Sequence, residues 1–278
     1  MGGCYDRGAL LSAMQTPRRI VVDFEAGWLT VDDGDGETRH PVLSADAYAA
    51  VSEAWLRIGW ELKHSYTFSW LGRPIIQLPE DLIRVQEAIH LVQPDVIIET
   101  GVAHGGSLIF YATLCRALGR GRVIGVDVLI RAENRREVEA HPLADLITLI
   151  AGSSVDAEVV RRVRDRVAPG ERVMVVLDSN HTRSHVLQEL EAYADLVSPG
   201  SYVVVADGLM SGLADSPRAG RDWATDNPLA AVREFLARRD DFVQEPPRWP
   251  FNESLGLESS RATYWPQGWL RRVERGSR

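Results

Sequence analysis

The sequence predicts an α/β protein built on a doubly wound, mostly parallel sheet. Three observations predict it. From Pro79 onward, short apolar runs alternate with amphipathic helical segments along most of the 278-residue chain. The runs are apolar throughout, as strands covered on both faces are. Polar residues crowd at their carboxyl ends, where sheets of this kind bind ligands.

The elements follow in order. Residues 20–42 read as a small hairpin: "RIVVDF" and "GWLTV" are strand-like, with "DDGDGE" supplying turn chemistry. Ser44 caps a helix whose apolar positions Tyr48, Val51, Trp55, Leu56 and Leu62 fall at helical spacing. "YTFSWLGRPIIQLPED" is an aromatic connector, read as packing on the core or covering a substrate. "PEDLIRVQEAIHLVQ" is a helix with acids in its first turn. Then come strand "DVIIET", helix "GGSLIFYATLCRAL", strand "RVIGVDV", helix "RAENRREVEA" and strand "DLITLI". Helix "SVDAEVVRRVRDRVA", strand "RVMVVLD", helix "HVLQELEAYADLV" and strand "SYVVVAD" continue the alternation. After a long loop, "NPLAAVREFLARR" is a helix, and "DFVQE" and "RATYW" are read as closing strands. The chain divides at 1–70, a cap or oligomerisation extension of hairpin plus helix, and 71–278, the sheet domain.

Composition narrows the function. Hydrophobic residues make up 45 %, enough for a sizeable core, and the net charge of −8 argues against nucleic acid or an anionic membrane as partner. Cys4 and Cys115 form no metal or disulfide pattern, which suits a reducing cytoplasm. The start lacks an apolar signal core, and "MGGCYD" departs from the lipidation motif at Asp6. No apolar run approaches the ~18 residues of a spanning helix. Lys63 is the only lysine, so a lysine base or Schiff base is nearly excluded. Trp28, Trp55, Trp60 and Trp70 would suit contacts in a homo-oligomer.

The first strand runs into "IIETGVAHGGSL". Gly101 allows a tight turn, and Gly105 and Gly106 let the next helix start close to a ligand with its free N–H groups facing it. Asp127 ends the second strand, where a carboxylate can accept from a ribose diol. "AGSSVD" after the third offers small polar groups to an adenine edge. Glycine turn plus acid is shared by nicotinamide and S-adenosylmethionine (SAM) binders. Here the spacing is Gly101-x-x-x-Gly105-Gly106, with Glu99 before the turn. An inward acid would repel a pyrophosphate and is tolerated by a sulfonium carrying an amino group, which favours SAM.

These residues carry a resemblance. "TFSWLGRPIIQLPEDLIRVQEAI", "PDVIIETGVAHGGSLIFYA", "GRVIGVDV", "AGSSVD", "VVLDSNHT", "GSYVVVAD" and "GWLRR" resemble the cephalosporin hydroxylase / rhamnosyl O-methyltransferase family of Rossmann-like class I enzymes, over roughly residues 60–272. The resemblance implies SAM-dependent methyl transfer onto a hydroxyl of a small-molecule natural product of antibiotic type, such as a sugar or macrolide. No iron-ligand pattern supports hydroxylation. The first strand also resembles catechol-type O-methyltransferases, which implies that Glu99, Gly101, Gly105 and Ser107 hold the methionine end of SAM, with Ala103, His104 and Asp178 beside it. By the same similarity, Asp127 holds the ribose and Ser154 meets the adenine. Asp178 and Asp207 match acids that hold a divalent metal, usually Mg2+, which would bind the acceptor hydroxyl and lower its pKa. His181, three residues after Asp178, is positioned as general base, its alternative being a helix-start residue that only bonds Asp178. His185 is expected behind the site or on the surface.

The chain departs from the family at Ala206, where the family usually carries Glu before Asp207. It departs from the related catechol-type pattern at Gly208, where that pattern has Asn. Asn180, water or substrate would fill the gap. The long loop 208–228 is of lid length, with Arg218, Arg221 and Trp223 available to a bulky acceptor; a surface loop or subunit contact is the alternative. Competing readings are a SAM enzyme of other chemistry (N-methylation or a non-methylating rearrangement), a SAM-binding helper of an oxidative tailoring step, and last a nicotinamide oxidoreductase.

Overall fold

The computed structural model describes residues 18–257 and 262–274; Cys4 and the lipidation-like start lie outside them. Strands β1 (Arg19–Asp23), β2 (Trp28–Asp32) and β3 (Glu37–Pro41) form an antiparallel meander, one strand more than the expected hairpin. Helix α1 (Ala45–Glu61) begins where Ser44 Oγ accepts from Ala47 N at 3.2 Å, an N-cap bond. The aromatic connector holds a minimal hairpin, β4 (Ser69–Trp70) and β5 (Arg73–Pro74).

Helices α2 (Pro79–Val92) and α3 (Gly106–Leu118) flank strand β6 (Val96–Thr100). Then follow β7 (Arg122–Asp127), α4 (Ala132–Glu139), β8 (Ile147–Ala151), α5 (Ala157–Arg164), β9 (Val173–Leu177), α6 (Arg183–Tyr193) and β10 (Tyr202–Val205). Helix α7 (Pro228–Arg238), β11 (Phe242–Gln244) and β12 (Trp269–Arg272) close the chain. The described part of "RATYW" is not a strand. The closing strand is β12, a few residues on, where Trp269 and Leu270 supply the inward-facing pair.

The sheet has seven strands in the order β11-β12-β10-β9-β6-β7-β8. β12 runs antiparallel to both its neighbours, and the other pairings are parallel. The unbroken apolar runs are explained by two cores. Ile97, Met174, Val176 and Val204 face one core with α2 and α3. Val96, Ile98, Val175 and Val203 face the other, with α5, α6 and α7. The chain progresses outward from β6 to β8, then returns to the far side of β6 at β9. That reversal opens a crevice above β6 and β9, the place for a ligand in such sheets.

Two of the four tryptophans expected at subunit contacts are used inside the chain. Trp70 packs edge-on against Phe110 and donates to Thr113 Oγ1 at 3.1 Å. Trp60 packs edge-on against Trp223 and Tyr264. Trp28 and Trp55 are exposed.

Candidate active site

A cavity of about 590 Å³ lies over the carboxyl ends of β6, β7, β8, β9 and β10. Its floor is the glycine turn after β6. Gly101 has φ +95°, and a Cβ there would lie 1.9 Å from the Asp178 carbonyl oxygen, so the turn after β6 and the end of β9 can approach only because this residue is glycine. Gly106 opens α3 against the connector, where a Cβ would meet the Pro74 carbonyl oxygen at 2.2 Å. Ala103, at φ +45°, is held from behind: Asn134 Nδ2 donates to its carbonyl at 2.9 Å. Arg73 Nη2 donates to the His104 carbonyl at 2.7 Å and to Asn134 Oδ1 at 3.0 Å. The Ala103 and His104 carbonyls are thus tied back, and Gly101 N and Gly105 N are spent within the turn on the Val126 and Val102 carbonyls.

Val102, Ala103, His104 and Ser107 line the cavity, and Asp127 flanks them. Asp127 Oδ2 accepts from Val102 N at 2.8 Å and Ala103 N at 3.2 Å, and Oδ1 from Leu129 N at 2.9 Å, which fixes the carboxylate at the mouth of the turn. Glu99 has no exposed surface and stands one layer behind the wall. Ser107 Oγ donates to its Oε2 at 2.6 Å and Tyr111 Oη to its Oε1 at 2.9 Å. Burial, opposed by those two bonds, pushes the carboxyl up to about 8. Its influence on anything in the cavity passes through Ser107.

The other end of the crevice gathers Asp178, His181 and Asp207, each offering one ligand atom within 4.8 Å of the others. His181 Nε2 lies 3.3 Å from Asp207 Oδ2 and 3.9 Å from Asp178 Oδ1. Asp207 sits at φ +56°, a left-handed conformation Asp tolerates, at the end of β10. Burial and the facing Asp207 raise the pKa of Asp178 well above the carboxylate range, against the pull of Gln77, whose Nε2 donates to Asp178 Oδ2 at 2.7 Å. Asp207 is also raised by burial, with His181 opposing. Two acids forced together and left with raised pKa values are what a divalent cation would relieve, so this donor set fits a metal ion.

The structure therefore brings together Gly101, Ala103, His104, Ser107, Asp127, Ser154, Asp178, His181 and Asp207 around one cavity, with Glu99 behind it. Gly105 shapes the turn without lining the wall. His185, expected behind the site or on the surface, lines the wall, because α6 starts right after the β9 turn and carries its first helical turn inward. From the long loop, Arg218 and Trp223 reach the cavity; Arg221 is exposed and does not. Sequence reasoning missed Gln77, Trp60, Tyr66 and Tyr264 as wall residues. Tyr66 and Gln77 lie in the connector read as packing on the core or covering a substrate, but nothing local singled either out.

A doubly wound sheet in this order, with a glycine turn, an acid at the next strand and a polar crevice at the switch, defines a Rossmann-like fold of the class I methyltransferase type. The chain belongs to the Rhamnosyl O-methyltransferase/CmcI family, whose model matches residues 62–273. It is similar to the rhamnosyl O-methyltransferase of Mycobacterium bovis (strain BCG / Pasteur 1173P2), 32 % identical over 139 residues, 48 % of this chain and 53 % of that protein. The counterpart in Mycobacterium leprae (strain TN) is 28 % identical over 158 residues, 55 % of this chain and 66 % of that protein. The chain thus spans about half the length of the M. bovis relative it matches. Among solved structures, CmcI in its apo form aligns with TM-score 0.52 at 20 % identity, covering 75 % of this chain and 77 % of that one. The CmcI Mg-SAM form aligns equally, covering 75 % and 78 %. At that identity the likeness establishes the fold.

Proposed function

We propose that the protein is a SAM-dependent, magnesium-assisted O-methyltransferase acting on a hydroxyl of a natural product, of sugar, macrolide or other antibiotic type. The observation that carries this reading is the convergence of Asp178, Asp207 and His181 on one cavity with the glycine turn and Asp127. The naming of the mycobacterial relatives as rhamnosyl O-methyltransferases, and of the CmcI structure as an Mg-SAM form, supports it.

The N–H groups at the start of α3 and Ser107 bind the methionine end of SAM, and Asp127 accepts from the ribose hydroxyls. Asp178 and Asp207 would hold magnesium, which when bound lowers the pKa of an acceptor hydroxyl. His181 Nε2 takes the hydroxyl proton as the oxygen attacks the methyl carbon and the methyl–sulfur bond breaks, its electron pair staying on sulfur to leave S-adenosyl-L-homocysteine; Asp207 Oδ2, 3.3 Å away, stabilises the imidazolium that forms. Ala206 leaves the metal one protein carboxylate fewer than the family pattern. Magnesium keeps several waters, so two carboxylates suffice. Trp60, Tyr66, Trp223 and Tyr264 give the acceptor an aromatic wall.

We place the protein in the cytoplasm, as its cysteine usage suggests; among the described residues no helix is long and apolar enough to cross a membrane. Residues 1–70 act as cap and oligomerisation extension to the methyltransferase domain at 71–278. An exposed apolar stripe on α1 (Tyr48, Val51, Trp55, Ile58) supports a homo-oligomer.

Calorimetric titration of SAM, with and without magnesium, on wild type and Asp207→Ala tests the reading. SAM binding whose magnesium response disappears in the variant is the expected result, followed by methyl transfer to a hydroxylated natural product. Absence of SAM binding would overturn it and return the nicotinamide reading.

A further inference from the structure

Behind the far wall of the cavity sits a buried carboxylate that methyl transfer does not use. Glu189 of α6 is 1 % exposed. Its Oε1 accepts from Ser154 Oγ at 2.5 Å and from Ser179 Oγ at 2.7 Å. His185 Nε2 lies 3.5 Å from the same oxygen and 3.1 Å from Ser154 Oγ. Tyr193, further along α6, donates its hydroxyl to the Ser154 carbonyl at 2.8 Å, which bolts the loop after β8 to the helix. Ser154, Ser179 and His185 all line the cavity, and Glu189 stands behind them.

A serine hydroxyl has one proton and two lone pairs. Here both serine protons point back at Glu189. Three polar groups converge on Oε1, so that oxygen acts as an acceptor. The imidazole Nε2 faces that oxygen and a serine oxygen whose own proton is already committed, so Nε2 carries hydrogen and donates. What the two serines turn toward the cavity is therefore lone pairs alone. These two hydroxyls accept hydrogen bonds and cannot give them. A ligand satisfies them with an N–H donor, and a carbonyl placed there sets acceptor against acceptor.

We propose that Glu189 is a positioning residue that makes the Ser154 and Ser179 hydroxyls acceptor-only, and so selects a 6-aminopurine over a 6-oxopurine in the bound nucleoside. The inference rests on the reading that SAM occupies the cavity. Gly152 N donates to the Asp127 carbonyl at 2.9 Å, so the Ser154 loop adjoins the acid assigned to the ribose, and a base attached to that ribose has this wall within reach. The adenine amino group brings two N–H donors to it. Hypoxanthine brings an oxygen to the same place.

The test compares S-adenosyl-L-homocysteine with S-inosyl-L-homocysteine by calorimetry, on wild type, Glu189→Gln and Ser154→Ala/Ser179→Ala. Wild type should prefer the adenosyl ligand by roughly tenfold or more, the scale of one hydrogen bond replaced by an unmatched buried acceptor. In Glu189→Gln the amide NH2 can donate to one serine and release that serine's proton toward the cavity, so the preference should fall toward parity. A merely structural role for Glu189 would weaken both ligands together and leave their ratio unchanged, and that result would overturn the proposal. Should Glu189→Gln fail to fold, the double serine variant decides, since removing both acceptors must also lower the ratio. Equal affinity of wild type for the two ligands would sink the acceptor-only hydroxyls and leave the methyltransferase reading standing. Binding of neither would remove both.

Discussion

Glu99 keeps its proton in the folded protein up to about pH 8, because burial outweighs the hydroxyls of Ser107 and Tyr111. In the unfolded chain it loses that proton near its ordinary value of 4.5. Between those values the folded state binds more protons than the unfolded one, so its stability declines as pH rises through the window. The melting temperature of the ligand-free protein should fall from pH 5 to pH 8, and Glu99→Gln, which preserves the shape, should make that fall shallower. Asp81, pushed up to about 7 by burial, contributes in the lower part of the window, so some slope remains. An unchanged slope would exonerate Glu99. At the other end of the crevice, the His181 ring nitrogen shares its surroundings with two carboxylates. Magnesium favours oxygen and leaves the imidazole free, whereas zinc takes nitrogen readily. Zinc should therefore bind wild type more tightly than His181→Ala, magnesium should bind the two alike, and His181→Ala should lose roughly 10²- to 10⁴-fold in methyl transfer. Equal zinc affinity for both proteins would put the imidazole out of the metal's reach. Asp178, His181 and Asp207 were legible in the sequence because each stands within a few residues of a strand end. Gln77 and Glu189 were not. Gln77 meets Asp178 across 101 positions of chain, and Glu189 reads as one more polar residue of a helix.

At the scale of elements, regular patterning announced every helix of the large sheet and every strand except β12, and the exceptions have physical causes. β3, "ETRHP", is polar and mostly exposed, so nothing marks it as a strand except the partner β2 supplies. "RATYW" has strand-like composition, yet Thr263 and Tyr264 are held by the buried Asp81 of α2, the Tyr264 N–H donating to its Oδ2 at 2.9 Å. Those bonds hold Tyr264 in the cavity wall and defer strand pairing to Trp269. The turn after β6 was readable from its glycines, but the clamp on it was not, because Arg73 and Asn134 come from separate elements. Arg73→Ala removes two bonds to the His104 carbonyl and one to Asn134. The His104 carbonyl is then released, and Asn134, which holds the Ala103 carbonyl, loses its own anchor. We expect SAM affinity to weaken roughly tenfold, the worth of a charge-assisted hydrogen bond or two, with the circular dichroism spectrum unchanged. Undiminished affinity would mean that Asn134 holds the turn unaided.

The whole molecule joins two regions that the sequence presents separately, the N-terminal extension and the loop after β10. Arg57 of α1 donates to the Gly212 carbonyl and, at 2.6 Å, to Asp215 Oδ1. Ser216 donates to Glu61, and Arg218 Nη1 to the Trp60 carbonyl at 2.8 Å. Leu56, on the same helix, belongs to the core cluster shared with α2 and α3. Helix and loop therefore form one wall of the cavity, and Trp60 and Trp223 are its inner surface. No local pattern encodes this pairing, since its partners lie 155 or more residues apart. The wall makes a separable demand on function. Arg57 touches neither the glycine turn nor Asp127, so Arg57→Ala should loosen the acceptor side alone. Steady-state kinetics should show KM for the acceptor rising several-fold while the SAM dissociation constant holds. The long loop would then act as a lid hinged on α1, with the extension as its seat. If SAM affinity fell in step with acceptor affinity, the two ends of the cavity would be one mechanical unit. The wall would then be part of the cofactor site rather than the surface that chooses the acceptor.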